Sequence, residues 1–175
     1  EVFVNRYTDT VCNSRGIEKT QVRYNAMVEA IPTFNGENES VELYQQYDCS
    51  AFDAETVKGE IARKLLEVKA RASAVKPDFA MDCKVILNKE ELGNLFGTIS
   101  HELNYATVYA HAGVFHKGDD IQTAPTGDPI TITMAGAVPG NIRSGHFDGD
   151  GMTLKDTVIV ENGKAVDAYT ETYGI

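Results

Sequence analysis

The spacing of apolar residues changes once along this chain, near Asp53, and that change constrains the fold more than any other feature. Before it, EVFV, TQVRYNAMVEAI and ESVELYQQYDC place apolar, β-branched and aromatic residues at alternate positions, the period of a half-buried strand. Ser14-Arg15-Gly16 and Asn35-Gly36-Glu37-Asn38 supply the breaks. An antiparallel meander is expected. After the change, Val57, Ile61, Leu65, Val68 and Ala72 recur at spacings of three and four, one apolar stripe on a helix. Asp53 is suited to cap its start, Glu55 sits where the helix dipole favours an anion, and Pro77 marks its end.

Met81–Leu87 then reads as a short strand. Asn88 with Glu91 forms a capping box for a second helix. On that helix Leu92, Leu95, Phe96, Ile99, Leu103 and Ala106 share one face, and His101 falls on the opposite one. Lys117-Gly118-Asp119-Asp120 and Pro125–Pro129 read as loops, and Ile130–Met134 as a strand. Asn162-Gly163 between two apolar runs favours a type I′ hairpin, whose central residues both need positive φ. The expected class is α+β: antiparallel sheet regions, two main helices at about 53–75 and 88–110, and a β-rich C-terminal part. A boundary near residue 77 divides a strand-rich part with its helix (1–77) from a part (78–175) that carries the second helix.

The formal net charge of −10 disfavours direct contact with nucleic acid, which requires clustered Lys and Arg. The one basic run, Lys64 to Arg71, includes Glu67 and reads as a solvated helix face. No stretch has the length of apolar sequence that spans a bilayer, and the opening residues lack the pattern of a secretory signal. Cys12, Cys49 and Cys83 are too few and too widely spaced for a disulfide framework or a zinc ribbon, and read as buried or incidental thiols of a reducing cytoplasm.

His101-Glu102 is the pair with most chemical potential. A zinc site on one helix needs a second imidazole nearby, yet Tyr105 and Ala106 occupy the candidate positions. His111, ten residues on, would lie about 15 Å further along a continuous helix. His116 and His146 fall in loops. Without a polarised water Glu102 has no use as a general base. Asp148, Asp150 and Asp156 fail the calcium-loop pattern, since its fifth and twelfth positions would be Met152 and Ile159. They read instead as an acidic turn with glycines at positive φ. Neither a serine elbow nor a phosphate-binding glycine loop is present. Tyr105 and Tyr109, one helical turn apart and off the apolar stripe, are the better interface candidates.

The order of these pieces resembles the middle portion of the TldD/PmbA family, peptidase-related proteins also called modulators of DNA gyrase. The pieces are Arg6-Tyr7-Thr8, the Asp53 helix, the strand and helix through Ala110, Asp119-Asp120-Ile121, Phe147-Asp148-Gly149-Asp150-Gly151, and the IVENGK turn. Family members are longer, so the resemblance implies an internal fragment with both ends missing. In the TldD branch the second helix carries His-Glu-x-x-x-His, two zinc ligands with a glutamate as general base. A distant cysteine resembles a third ligand. The PmbA branch lacks the motif and acts as partner. With Ala106 at the second histidine position, the resemblance implies a metal-deficient subunit of a heteromeric metallopeptidase that acts on unfolded or modified peptides in the cytoplasm. Its partner would be a TldD-like subunit or a second copy, and no metal is expected in this fragment, although zinc occurs in the family. Asp148 and Asp150 are assigned to the cleft or partner surface with Tyr105 and Tyr109. Two alternatives stay open. One is an active metallopeptidase with His101 as ligand, Glu102 as base and further ligands outside the fragment. The other is a DNA-gyrase-associated regulator.

Overall fold

The computed structural model describes residues 1–36, 39–49 and 52–169. The chain groups into two compact units. One comprises Glu1–Asp9, Val22–Cys83 and Gly140–Arg143, and the other Thr10–Gln21, Lys84–Pro139 and Ser144–Ile175. The class is α+β with antiparallel sheets, as the two periods imply.

In the first sheet, of which Thr10–Cys12 and Glu18–Gln21 group with the second unit and the rest with the first, β2 (Glu18–Ala30) lies between β1 (Val2–Cys12) and β5 (Gln45–Cys49). The β2–β5 ladder runs antiparallel from Ala26 opposite Cys49 to Ala30 opposite Gln45. Between them in sequence, β3 (Thr33–Asn35) and β4 (Ser40–Glu42) form a separate two-stranded sheet. The expected meander is therefore interrupted. Pro32, which has no N–H to give a ladder, ends β2, and its carbonyl accepts from Leu43 at 3.0 Å. Two residues of the Asn35–Asn38 break, Glu37 and Asn38, lie outside the described residues.

The helix α1 (Ala54–Arg71) packs on β3 and β4. The Asp53 carboxylate caps it, accepting from the Glu55 and Thr56 amides and from the Thr56 hydroxyl. The helix ends six residues before Pro77, at a C-cap on Ala72. The buried stripe is also shifted. Val68 is buried, but Leu65 is exposed, and Lys64 takes the inward position. Its ammonium reaches Glu67 Oε2 at 3.0 Å. That partner makes the burial tolerable, because a buried charge requires pairing. Lys64 therefore does not belong to a solvated face.

Met81–Leu87 is not a strand. Val85 and Ile86 are exposed, and no strand pairs with the segment among the described residues. An alternating sequence becomes a strand only where a neighbour supplies hydrogen bonds.

The second unit carries α2 (Lys89–Glu102), α3 (Tyr105–Tyr109), β6 (Ile132–Met134), β7 (Thr157–Glu161) and β8 (Lys164–Ala165). Asn88 caps α2 through a 2.9 Å bond from the Glu91 amide. The strands form one antiparallel sheet in the order β6-β7-β8. Asn162 and Gly163 have φ of 49° and 79°, the conformation a type I′ turn requires. Ile159 and Val160 are fully buried and pack with Leu103, Ile132 and Ala165. Phe96 and Ile99 close this core from α2, whereas Leu92 and Leu95 stay exposed. The sheet is too short to cover the whole stripe.

Cys12 and Cys83 are exposed and Cys49 is half-buried, so the thiols are free but not buried. Among the described residues no helix is long and apolar enough to cross a membrane.

Candidate functional site

The expected single helix from 88 to 110 is two helices. The chain leaves helical geometry at Asn104, with φ −68° and ψ 137°. The Asn104 side chain accepts from the Ala106 amide at 2.9 Å and so caps α3. Asparagine suits this position because its short amide bonds the backbone two residues on. A second strand-like contact holds the break open. The Tyr105 amide donates to the Tyr169 carbonyl at 2.9 Å, and the Tyr169 amide donates to the Leu103 carbonyl at 3.2 Å. Leu103 is buried in the core beneath. The sequence placed Leu103 correctly on the apolar stripe but gave no sign that Tyr169, sixty-five residues later than Asn104 in the numbering, would intercept the helix there.

This break separates the candidate residues. His101 is exposed at the end of α2. Glu102 turns elsewhere: its Oε2 accepts from the Val114 amide at 2.7 Å. Gly113 lies against the same carboxylate, where a Cβ would come within 3.0 Å of Oε2. The carboxylate thus holds the returning chain after α3. The other histidines are dispersed. His111 adopts φ 52° and is exposed. The His116 amide donates to Asp119 at 2.7 Å, with Nδ1 3.5 Å from the same oxygen. The His146 amide donates to Gln21 at 2.8 Å. Among the described residues, no three His, Cys, Asp or Glu side chains converge as metal ligands. His101 and Glu102 by themselves do not fit a zinc shell, which takes three protein donors and an open position.

Tyr105 and Tyr109 stack, with ring centroids 5.8 Å apart and planes 17° from parallel. Tyr109 is exposed and Tyr105 half-buried. Tyr105 and Ala106 border a groove of about 430 Å³ that runs from α3 to the end of β6. Small residues, Ala106, Ala135 and Gly136, make room for it. Met134, Leu154 and Tyr169 give it apolar sides. Gly136 is required there, because a Cβ would lie 2.7 Å from Leu154 Cβ and 3.0 Å from its carbonyl carbon. Asn104, Thr157 and Lys155 supply the polar lining. Sequence reasoning missed every groove residue beyond Tyr105 and Ala106. The residues come from four separate segments, and only the β6–β7 pairing and the Tyr169 contact gather them.

The Phe147–Gly151 segment is a closed turn. Asp148 Oδ1 accepts from the Asp150 amide at 3.0 Å and the Met152 amide at 2.9 Å. Gly151 has φ 81°, and a Cβ there would meet Ile17 at 2.7 Å. Lys19 donates to the Gly151 carbonyl at 2.7 Å and lies over the buried Phe147 ring. The turn is an acidic, glycine-dependent piece of architecture. Asp150 is exposed on it and Asp148 is half-buried.

A helix broken beside a glycine-floored groove, on the edge of a small antiparallel sheet, defines the α+β arrangement of the second unit. Residues 80–174, more than half of the chain, match the family model described as the PmbA/TldA metallopeptidase C-terminal domain. The chain belongs to the PmbA/TldD metallopeptidase family. No curated protein matches it.

Proposed function

We propose that this chain is a metal-deficient, PmbA-type subunit that shapes a peptide cleft for a TldD-like partner or a second copy of itself, with unfolded or modified peptides as substrates in the cytoplasm. The observation that carries this reading is Ala106. Where the metal-bearing branch would place its second histidine, this chain has a methyl group on the wall of a groove. Glu102 supports the reading as well, because its carboxylate already holds the Val114 amide. The groove supplies apolar sides and a few polar groups, the composition of a small-ligand or peptide site.

The test is zinc stoichiometry after equilibration and dialysis, together with peptidase assays with and without a TldD-like subunit carrying the full motif. The expected result is much less than one equivalent of zinc on this chain and hydrolysis only in the mixture. One equivalent of zinc that is lost in His101→Ala would replace this reading with that of an active metallopeptidase.

A further inference from the structure

We infer that the exposed segment Met81–Leu87 pairs, as an antiparallel strand, with the free edge of β1 in a second copy of this chain. The surfaces involved are separate from the groove beside Ala106 and do not depend on the cleft reading. Among the described residues β1 is the outer strand of its sheet. Glu1 and Glu29 exchange backbone bonds of 2.8 and 2.9 Å, and at the other end the Asn13 amide donates to the Ile17 carbonyl. Both pairs belong to one register, in which the odd-numbered residues of β1 bond to β2. The amides and carbonyls of Val2, Val4 and Arg6 therefore point away from the sheet, and such an edge is a template for a further strand. Met81–Leu87 has the alternation of a strand, pairs with no strand among the described residues, and leaves Ile86 96% exposed.

The two segments fit each other in one register. With Arg6 opposite Asp82, Val4 meets Lys84 and Val2 meets Ile86 on one face, while Tyr7 meets Met81, Asn5 meets Cys83 and Phe3 meets Val85 on the other. Opposite charges and apolar pairs directly across a ladder stabilise it, and the Lys84 stem can lie along Val4. Sliding the segment two residues one way sets Arg6 against Lys84, and the other way sets it against Ala80. Charge thus selects the register. Neither charge is taken elsewhere among the described residues: Arg6 bonds only the Tyr24 hydroxyl, at 3.3 Å, and Asp82 has no partner. In this register the outward backbone groups of Val2, Val4 and Arg6 are also the ones that exchange bonds with Ile86, Lys84 and Asp82. Every copy carries both halves, so a two-fold pair of copies gives each edge a strand and each segment an edge.

Sedimentation equilibrium and directed cross-linking test this. The chain should sediment as a reversible dimer. Asp82→Arg, in a segment that is exposed and unpaired, and Arg6→Asp should each weaken the dimer about tenfold by setting like charges across the ladder, and the double variant should regain the parent's affinity. Asn5 and Cys83 would form a non-hydrogen-bonded pair, whose Cβ atoms stand close enough for a disulfide. Asn5→Cys in a Cys12→Ser background should therefore give, on mild oxidation, a linked dimer whose bridge maps to position 5 and Cys83. Val4→Cys, on the opposite face, should give about tenfold less of it. Thermal melts check that each variant keeps its fold. A parent chain that is monomeric throughout, a double variant no tighter than the singles, or a bridge within one chain overturns the inference. None of these readouts involves zinc or peptide, so the subunit reading stands or falls on its own assays.

Discussion

Glu102 offers a direct way to separate a scaffold carboxylate from a catalytic one. Its Oε2 accepts from the Val114 amide at 2.7 Å, across the loop that follows α3. Hydrogen bonds to charged groups contribute about 1.5–3 kcal/mol, and half-exposure of the side chain puts Glu102 near the lower end. Glu102→Ala should therefore cost about 1.5 kcal/mol. For a chain of this size that corresponds to a fall of roughly 3–6 °C in Tm. Glu102→Gln keeps an acceptor oxygen and should lose less. Gly113→Ala provides the internal control. Its Cβ would stand 3.0 Å from Oε2 and 3.1 Å from the Glu102 carbonyl oxygen and Thr107 Cγ2. The carboxylate can swing away, but the backbone carbonyl cannot, so this change disrupts the same bond. The double variant should then cost less than the sum of the two singles, as expected for residues that share one interaction. Melts followed by circular dichroism measure the parent and the four variants. A Glu102→Ala chain that melts with the parent would refute the scaffold role.

The remaining predictions are shorter. Ile159→Ala, at a fully buried position, should destabilise by about 3–4 kcal/mol in urea titration; a loss below about 1 kcal/mol would remove Ile159 from the core. Gly136→Ala should cost about 1–3 kcal/mol, because its Cβ meets Leu154 backbone atoms that cannot rotate away, and a melt unchanged from the parent would contradict the close approach. Glu67 has its carboxyl held below the ordinary 4.5, first by the hydrogen bond from Lys64 and then by the charges of Lys64, Arg63 and Arg71, against an opposing effect of burial. A depressed folded-state value means the stabilisation is complete above 4.5 and is lost as pH falls below it. Glu67→Gln should therefore flatten the acid limb of the stability profile, and an unchanged slope below pH 4.5 would refute the pairing.

The caps at Asp53 and Asn88 and the Asn162-Gly163 hairpin were legible in the sequence, because each rests on contacts within a few residues. Periodicity and capping are local properties, and the chain carries them wherever it goes. The acidic turn at Asp148 was legible for the same reason. Three features were not. Lys64 rather than Leu65 points inward because Glu67 and the β3–β4 sheet decide which face of α1 is covered. Met81–Leu87 alternates like a strand yet stays unpaired, since a ladder depends on a neighbour that periodicity does not supply. Most consequential is the break at Asn104. Its cap is written locally, but the bonds from Tyr105 and to Leu103 come from Tyr169, far along the chain. The sequence alone determined that Tyr105 and Ala106 stand where a second histidine on the same helix would be, because residue identity needs no folding. Only the tertiary structure decided that Ala106 lines a groove with Gly136 and Lys155, because those residues meet through long-range pairing of β6 with β7 and of Asn104 with Tyr169.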